Sequence, residues 1–131
     1  MNTKTAAKRI SRVLGNISQP ARIRILLSIG ESEACVCHLE AMLGYRQAYI
    51  SQQLMELRKA KLVDARRDGR FIFYRLSNRQ LLDLIQMAGE LSGVSPEELA
   101  TLTAKNLLHP CCCPDCVAKL KPTQQDIPCV S

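Results

Sequence analysis

A mainly helical domain carrying one basic β-hairpin is the fold class that this sequence predicts, and three observations predict it. Six segments carry apolar residues at helical spacing, and two of them, residues 36–43 and 47–60, are separated only by a Gly44-Tyr45-Arg46 turn. The run KLVDARRDGRFIFYRLS that follows changes to strand-forming residues around an Asp68-Gly69 turn signal. A helix-turn-helix followed by a basic hairpin is far more specific than either part, and together they make a winged helix pattern. At 131 residues with 47% hydrophobic content the chain can bury a core, yet has no room for separate cofactor and substrate domains. The 18 Lys and Arg against 12 Asp and Glu leave +6, a balance that suits a polyanionic partner.

Taken in order, the first helix places Ala6, Ile10, Val13, Leu14 and Ile17 on one face and breaks at Ser18-Gln19-Pro20. The second runs through Ile23, Leu26 and Leu27 to Gly30, with Ser18 expected as its cap and Pro20 where a missing amide costs little. VCHLEAML allows about two turns and stops at Gly44. The helix over residues 47–60 turns Ile50, Leu54 and Leu57 inward. Strands are expected over residues 62–67 and 70–76, and a helix over 78–91. Ser95-Pro96-Glu97-Glu98 carries the cap, proline and reciprocal acid of a further helix reaching residue 107 or 108. The division expected is a winged helix DNA-binding and dimerisation domain over residues 1–93, an added helix over 94–109, and a cysteine- and proline-rich tail over 110–131.

Two surfaces follow from this layout. In a helix-turn-helix the second helix enters the major groove, so Gln47, Tyr49, Ser51, Gln52 and Gln53, with Ala48 among them, are the expected readers. Arg46 in the turn and Arg66, Arg67 and Arg70 around the hairpin tip are expected on phosphate or in a minor groove. Arg75 and Arg79 stay open between phosphate and an acidic neighbour, because strand alternation and helix entry can turn them toward Asp or Glu instead. The second surface is apolar. Leu81, Leu84, Ile85, Ala88 and Leu91, broadened by Leu82 and Met87, form a wider stripe than a small monomer needs. A homodimer is expected to use Val13 and Leu14 of the first helix with Leu81, Ile85, Ala88 and Leu91 across a two-fold axis.

Cysteine is the unusual residue: there are 7, five of them in the last 21 positions. The amino terminus lacks the apolar stretch of a secretory signal and no later run is long enough to span a bilayer. A reducing cytoplasm is therefore the expectation, and clustered thiols there read as ligands or reactive groups. Cys35 and Cys37 would point apart within an ideal helix, so their joint use places Cys35 at the helix entrance. Cys111, Cys112, Cys113 and Cys116 offer four thiols within six positions. Thiolates favour soft ions. Pyramidal three-sulfur binding of As(III) or Sb(III) needs one donor beyond the Cys35-Cys37 pair, and four-sulfur binding of Cd(II), Pb(II) or Zn(II) needs two. His38 and His109 are secondary candidates, and Cys129 stands apart.

EACVCHLEAMLG, YRQAYISQQLMELRKAKLV and ARRDGRFIFYRL resemble the metal-binding helix, recognition helix and wing of the ArsR/SmtB family of dimeric metalloregulatory repressors, over about residues 5–92. The resemblance implies a repressor that leaves its operator when an inducer binds, with Cys35 and Cys37 matching the family's CVC sensor motif. Three departures qualify it. His38 stands where the arsenic-responsive pattern commonly has Asp, no third Cys follows in the same helix, and Arg46 replaces the usual small cap before the recognition helix. The final-helix site of zinc, nickel or cobalt sensors is disfavoured, since Asp83 and Glu90 there have no His beside them.

The functional expectation is a cytoplasmic homodimeric repressor, not an enzyme, that binds an inverted-repeat operator in its apo form and releases it when arsenite or antimonite is held by cysteine thiolates. A cadmium- or lead-responsive repressor and a thiol redox or persulfide-responsive repressor are the alternatives on the same fold. A thiol-transfer or metal-reductase enzyme lacks a nucleotide-binding motif and an assembled acid/base set.

Overall fold

The computed structural model describes residues 2–103. The cysteine- and proline-rich segment lies outside the described residues, as does the expected end of the last helix. The chain folds as α1 (Thr3–Asn16), α2 (Pro20–Ile29), β1 (Ala34–Cys35), α3 (Val36–Leu43), α4 (Gln47–Lys59), β2 (Val63–Asp68), β3 (Phe71–Leu76), α5 (Gln80–Leu91) and α6 (Pro96–Thr103). The three strands form one antiparallel sheet in the order β1-β3-β2. This is the expected mainly helical winged helix-turn-helix, with α3 and α4 as the helix pair and β2–β3 as the wing.

The core is built where the helical apolar stripes meet. Ile25, Leu26 and Ile29 of α2, Leu39 of α3, and Ile50, Leu54 and Leu57 of α4 are all fully buried, with Leu81 and Ile85 of α5 closing the side. A second, smaller cluster joins Cys35, Ala41 and Phe73, with Cys37 and Phe71 at its edge. It lies at the junction of β1, α3 and the wing. Leu99 of α6 packs on the main core, so the added helix is seated on the winged domain.

Local chemistry explains the boundaries. Asn2 caps α1 by accepting the Thr5 N–H, and Pro20 opens α2. Ser18 does not cap α2: the residue before the helix is Gln19, with no side-chain bond, and the Ser18 hydroxyl donates back to the Gly15 carbonyl at 2.9 Å. Proline already fixes the first turn of α2. Arg46 likewise precedes α4 without a side-chain cap bond. At the other end of α4, Lys61 adopts φ 63°, while the Lys61 N–H reaches the Arg58 carbonyl and the Leu62 N–H reaches that of Leu57. That pair of bonds is a Schellman ending with lysine where glycine is usual. The expected reciprocal cap of α6 is present: Glu98 accepts from the Ser95 N–H at 2.8 Å and Ser95 accepts from the Glu98 N–H at 3.1 Å.

The hairpin differs from expectation by one position. Asp68 pairs with Phe71, so the two turn residues are Gly69 and Arg70 and Asp68 ends the strand. Gly69 takes φ 61° and no positive φ occurs at Arg70, the pattern of a type II′ turn, which needs glycine at its first central position. The strand β1 was not foreseen. Two residues are too few to show alternation, and Ala34 and Cys35 are extended because they pair with Tyr74 and Phe73.

Candidate functional site

The reader helix α4 separates its faces cleanly. Ile50, Leu54 and Leu57 point to the core, and Gln47, Tyr49, Gln52 and Met55 are exposed, with Ser51 half-buried beside them. Gln53 is corrected from its expected place among the readers. It is only 8% exposed, and its Oε1 accepts from Arg22 Nε at 2.8 Å. One step along a helix turns a side chain by about 100°, which carries Gln52 to the outside and Gln53 to the inside. Met55 joins the outward face by the same geometry, one turn beyond Gln52, and was not singled out because an isolated methionine reads as core.

An aromatic brace supports the turn before the reader. Arg24 of α2 donates to the Tyr45 hydroxyl at 3.0 Å and lies 5.2 Å from that ring's centroid, and the Tyr45 ring meets the Tyr49 ring edge-on at 5.4 Å. Such contacts hold Tyr49 at the amino-terminal end of the reader. Arg46 is exposed in the same turn. Sequence reasoning missed Arg24 because its partner is 21 residues away and only the fold joins them.

The wing arginines do not all face the same way. Arg66 donates through Nε and Nη2 to Glu33 Oε2 at 3.0 and 2.8 Å, and its guanidinium lies 4.8 Å from the Phe73 centroid. It covers the small cluster from outside. Arg67 and Arg70 are exposed at the tip, Arg70 lying over Phe71 at 5.2 Å. Of the two partners open to it, Arg79 takes an acid, Glu31, whose hydrogen bond and charge raise the arginine's pKa above its ordinary value.

The apolar surface needs a correction too. Leu81 and Ile85 are 5% and 6% exposed within the single chain, so they are core and not interface. The outward stripe of α5 is Met87, Ala88 and Leu91, with Leu91 86% exposed. On α1, Ile10, Val13 and Leu14 are exposed and no side chain is buried. The expected stripe was wider than one face of α5; its two sides serve two different surfaces.

Cys35 and Cys37 are brought together. Cys35 ends β1 and stands as the N-cap of α3, its Sγ accepting the His38 N–H at 3.3 Å, and the two Sγ atoms are 2.9 Å apart. The extended backbone at Cys35, with ψ 167°, turns its side chain back toward the first helical turn, where Cys37 sits. Cys35 is buried and Cys37 half-buried. A helix amino terminus favours the thiolate form of a capping cysteine. The pair therefore fits one side of a soft-ion site, but tetrahedral thiolate coordination at about 2.3 Å per bond sets sulfurs about 3.8 Å apart, so the pair must open. Among the described residues no group of three His, Cys, Asp or Glu is placed to hold an ion, His38 included. Cys111, Cys112, Cys113 and Cys116, with His109 and Cys129, lie outside the described residues. Among the described residues no helix is long and apolar enough to cross a membrane.

Comparison with known proteins gives this arrangement a lineage. The family described as "Bacterial regulatory protein, arsR family" matches residues 19–65, from the start of α2 to β2. The biofilm growth-associated repressor of Agrobacterium fabrum is 39% identical over 80 residues, which cover 61% of this chain and 68% of that protein. The transcriptional repressor SmtB homolog of Synechocystis is 31% identical over 78 residues, covering 60% and 59% of the two chains. Among solved structures, the transcriptional repressor BigR from Xylella fastidiosa superposes with a TM-score of 0.60 at 31% identity, over 70% of this chain and 96% of that one. These relatives are regulators. The chain belongs to the arsR family of bacterial regulatory proteins, a winged helix-turn-helix regulator and not an enzyme.

Proposed function

We propose that this chain is a homodimeric repressor that binds an inverted-repeat operator in its apo form and releases it when As(III) or Sb(III) is held by Cys35, Cys37 and at least one of Cys111, Cys112, Cys113 and Cys116. The observation that carries the reading is the double position of Cys35, which is at once one of two adjacent thiols and the cap of the helix leading into the reader. A soft ion that recruits Cys35 Sγ competes with the His38 N–H for the same sulfur. The opening of the Cys35–Cys37 pair then acts on the first turn of α3, which packs against α4 through Leu39.

DNA contact is assigned to Gln47, Tyr49, Ser51 and Gln52 for base edges and to Arg46, Arg67 and Arg70 for phosphate, because these predicted contacts lie at or near the surface, whereas Gln53 is buried and the exposed Arg66 is engaged by Glu33 and Phe73. The pairing surface is assigned to Ile10, Val13 and Leu14 with Met87, Ala88 and Leu91. Exposed leucine, isoleucine and methionine on two amphipathic helices are what a second copy would cover. Release needs an inducer affinity that differs between free and DNA-bound protein, a coupling of about 1–3 kcal/mol in typical cases.

The test is an oxygen-free titration of reduced, operator-bound protein with arsenite, antimonite, cadmium and lead, following DNA anisotropy and thiolate absorbance together. Release by arsenite or antimonite near one equivalent per site supports the reading. Release by cadmium or lead alone moves the inducer to four-sulfur chemistry, and indifference to all of them rejects a thiophilic inducer. The 2.9 Å sulfur separation favours one second reading, a redox switch in which both thiols lose a proton and an electron to a peroxide and join as a disulfide. DNA release by peroxide, with a loss of two mass units that dithiothreitol reverses, would identify it.

A further inference from the structure

Arg22 lies in the first turn of α2 and hydrogen-bonds two other helices. Its Nε donates to Oε1 of Gln53 in the middle of α4 at 2.8 Å, and its Nη1 donates to the carbonyl of Asn16, the last residue of α1, at 3.0 Å. Both contacts are partly buried, and Gln53 is turned inward. A buried amide left unpaired is costly, so Gln53 is held to this partner.

The other end of the link matters because, among the described residues, α1 is otherwise lightly attached. None of its side chains is buried, and it joins the domain through a corner at residues 17–19 where Ile17 enters the core. No basic residue occupies the last turn of α1, so the Arg22 guanidinium supplies from α2 the positive charge that a helix carboxyl end favours. The planar guanidinium fixes the angle between its two bonds. A helix of 14 residues is about 21 Å long, so a rotation of about 10° at the corner moves its far end by roughly 4 Å.

We propose that Arg22 is a positioning residue for DNA binding: through Gln53 and the Asn16 carbonyl it fixes the angle between α1, which pairs with a second copy, and the reader helix α4, and so sets the separation of the two readers. The proposal rests on the reading of the chain as a paired DNA-binding regulator. Two half-sites are engaged together only when the readers match their spacing, about 34–36 Å for one helical turn of DNA. Arg22 needs no DNA contact to act in this way.

The test compares Arg22→Lys, Gln53→Leu and Gln53→Glu with wild type. The DNA probes are an inverted-repeat duplex selected from a random pool by the wild-type protein, a duplex carrying one half-site, and a series with the half-sites moved apart by one and two base pairs. Sedimentation and thermal melting accompany the binding. Arg22→Lys keeps the charge but loses the fork, and Gln53→Leu loses the acceptor while filling the space. Both should stay dimeric, keep half-site affinity within about twofold, lose about tenfold or more on the paired duplex, and flatten the dependence on spacing. Gln53→Glu keeps an acceptor and should retain the wild-type spacing preference. If either of the first two variants fails to fold, the other decides the matter, and the spacing profile of Gln53→Glu is read beside it. Parallel losses on single and paired half-sites, or an unchanged spacing preference, would overturn the proposal. A wild-type protein that gains nothing from the second half-site would instead overturn the paired-reader reading beneath it.

Discussion

Cys35 stands opposite Phe73 across the β1–β3 pairing, and at that residue the strand ends and α3 begins. One buried side chain therefore belongs to the sheet, to the cap of α3 and to the thiol pair, while Arg66 of the wing covers the Phe73 ring and binds Glu33, two residues before Cys35. The sulfur thus sits where α3, the helix that packs on α4, meets strand β3 of the wing. The link is a set of contacts, not an inference from proximity in sequence.

The cap and the proposed sensor role can be separated at this position. Cys35→Ala removes the acceptor of the His38 N–H, which for a helix cap costs about 1 kcal/mol, and leaves a gap against Phe73. Cys35→Ser keeps an acceptor and should lose less stability. Both should lose arsenite-driven DNA release to the same extent. Urea unfolding and operator anisotropy on the same preparations check this, and equal unfolding midpoints for wild type and Cys35→Ala would show that the cap bond contributes nothing.

Lys61 holds a left-handed conformation that costs a side chain with a Cβ about 1 kcal/mol relative to glycine. Its backbone bonds to Arg58 and those of Leu62 to Leu57 do not need the side chain. Lys61→Gly should therefore raise stability by up to about 1 kcal/mol, with the added freedom of the unfolded chain taking back part of the gain. A lower melting temperature would mean that the exposed lysine supplies something the backbone geometry does not reveal.

How much of this was legible in sequence follows from the range of the interactions. α3 has the predicted bounds because Gly44 ends it and the apolar spacing fills it; the Ser95–Glu98 cap was readable because it is local. What failed depended on partners distant in the chain. Gln53 looks like its neighbour Gln52 until Arg22 is placed beside it, and β1 exists only because β3 does. Leu81 and Leu91 belong to one apolar run, and only the packing of α5 on α2 decides that the first is core and the second surface. Joint use of Cys35 and Cys37 required either a distorted first turn or a Cys35 just outside the helix, and the structure has the second, with Cys35 extended at the cap position.

Met87→Lys with Leu91→Lys should yield a monomer that keeps its fold, since both side chains are exposed in the single chain. Ile85→Ala should do the opposite. Truncating a buried isoleucine leaves a cavity in the core and costs about 2–5 kcal/mol, with no direct effect on association of the protein that remains folded. Sedimentation at micromolar concentration and thermal melting distinguish the two. A double lysine variant that still sediments as a dimer would remove this face of α5 from the pairing surface.

The reader and wing residues should differ in how their loss responds to salt. Gln52 projects from the outward face of α4, so Gln52→Ala should weaken selected operator DNA by about tenfold, equivalent to a base contact worth 1–3 kcal/mol, and leave scrambled DNA nearly unchanged. Arg67 is exposed at the wing tip; Arg67→Ala should weaken both duplexes and lower the slope of log affinity against log salt by about one. Arg66 is already bound to Glu33 and laid on Phe73, so Arg66→Ala should leave that slope close to wild type while loosening the wing. Binding isotherms at four or five salt concentrations on both duplexes separate the three. If Arg66→Ala lowers the slope as much as Arg67→Ala does, Arg66 leaves Glu33 for phosphate in the complex, and the Glu33 contact belongs to the free protein alone.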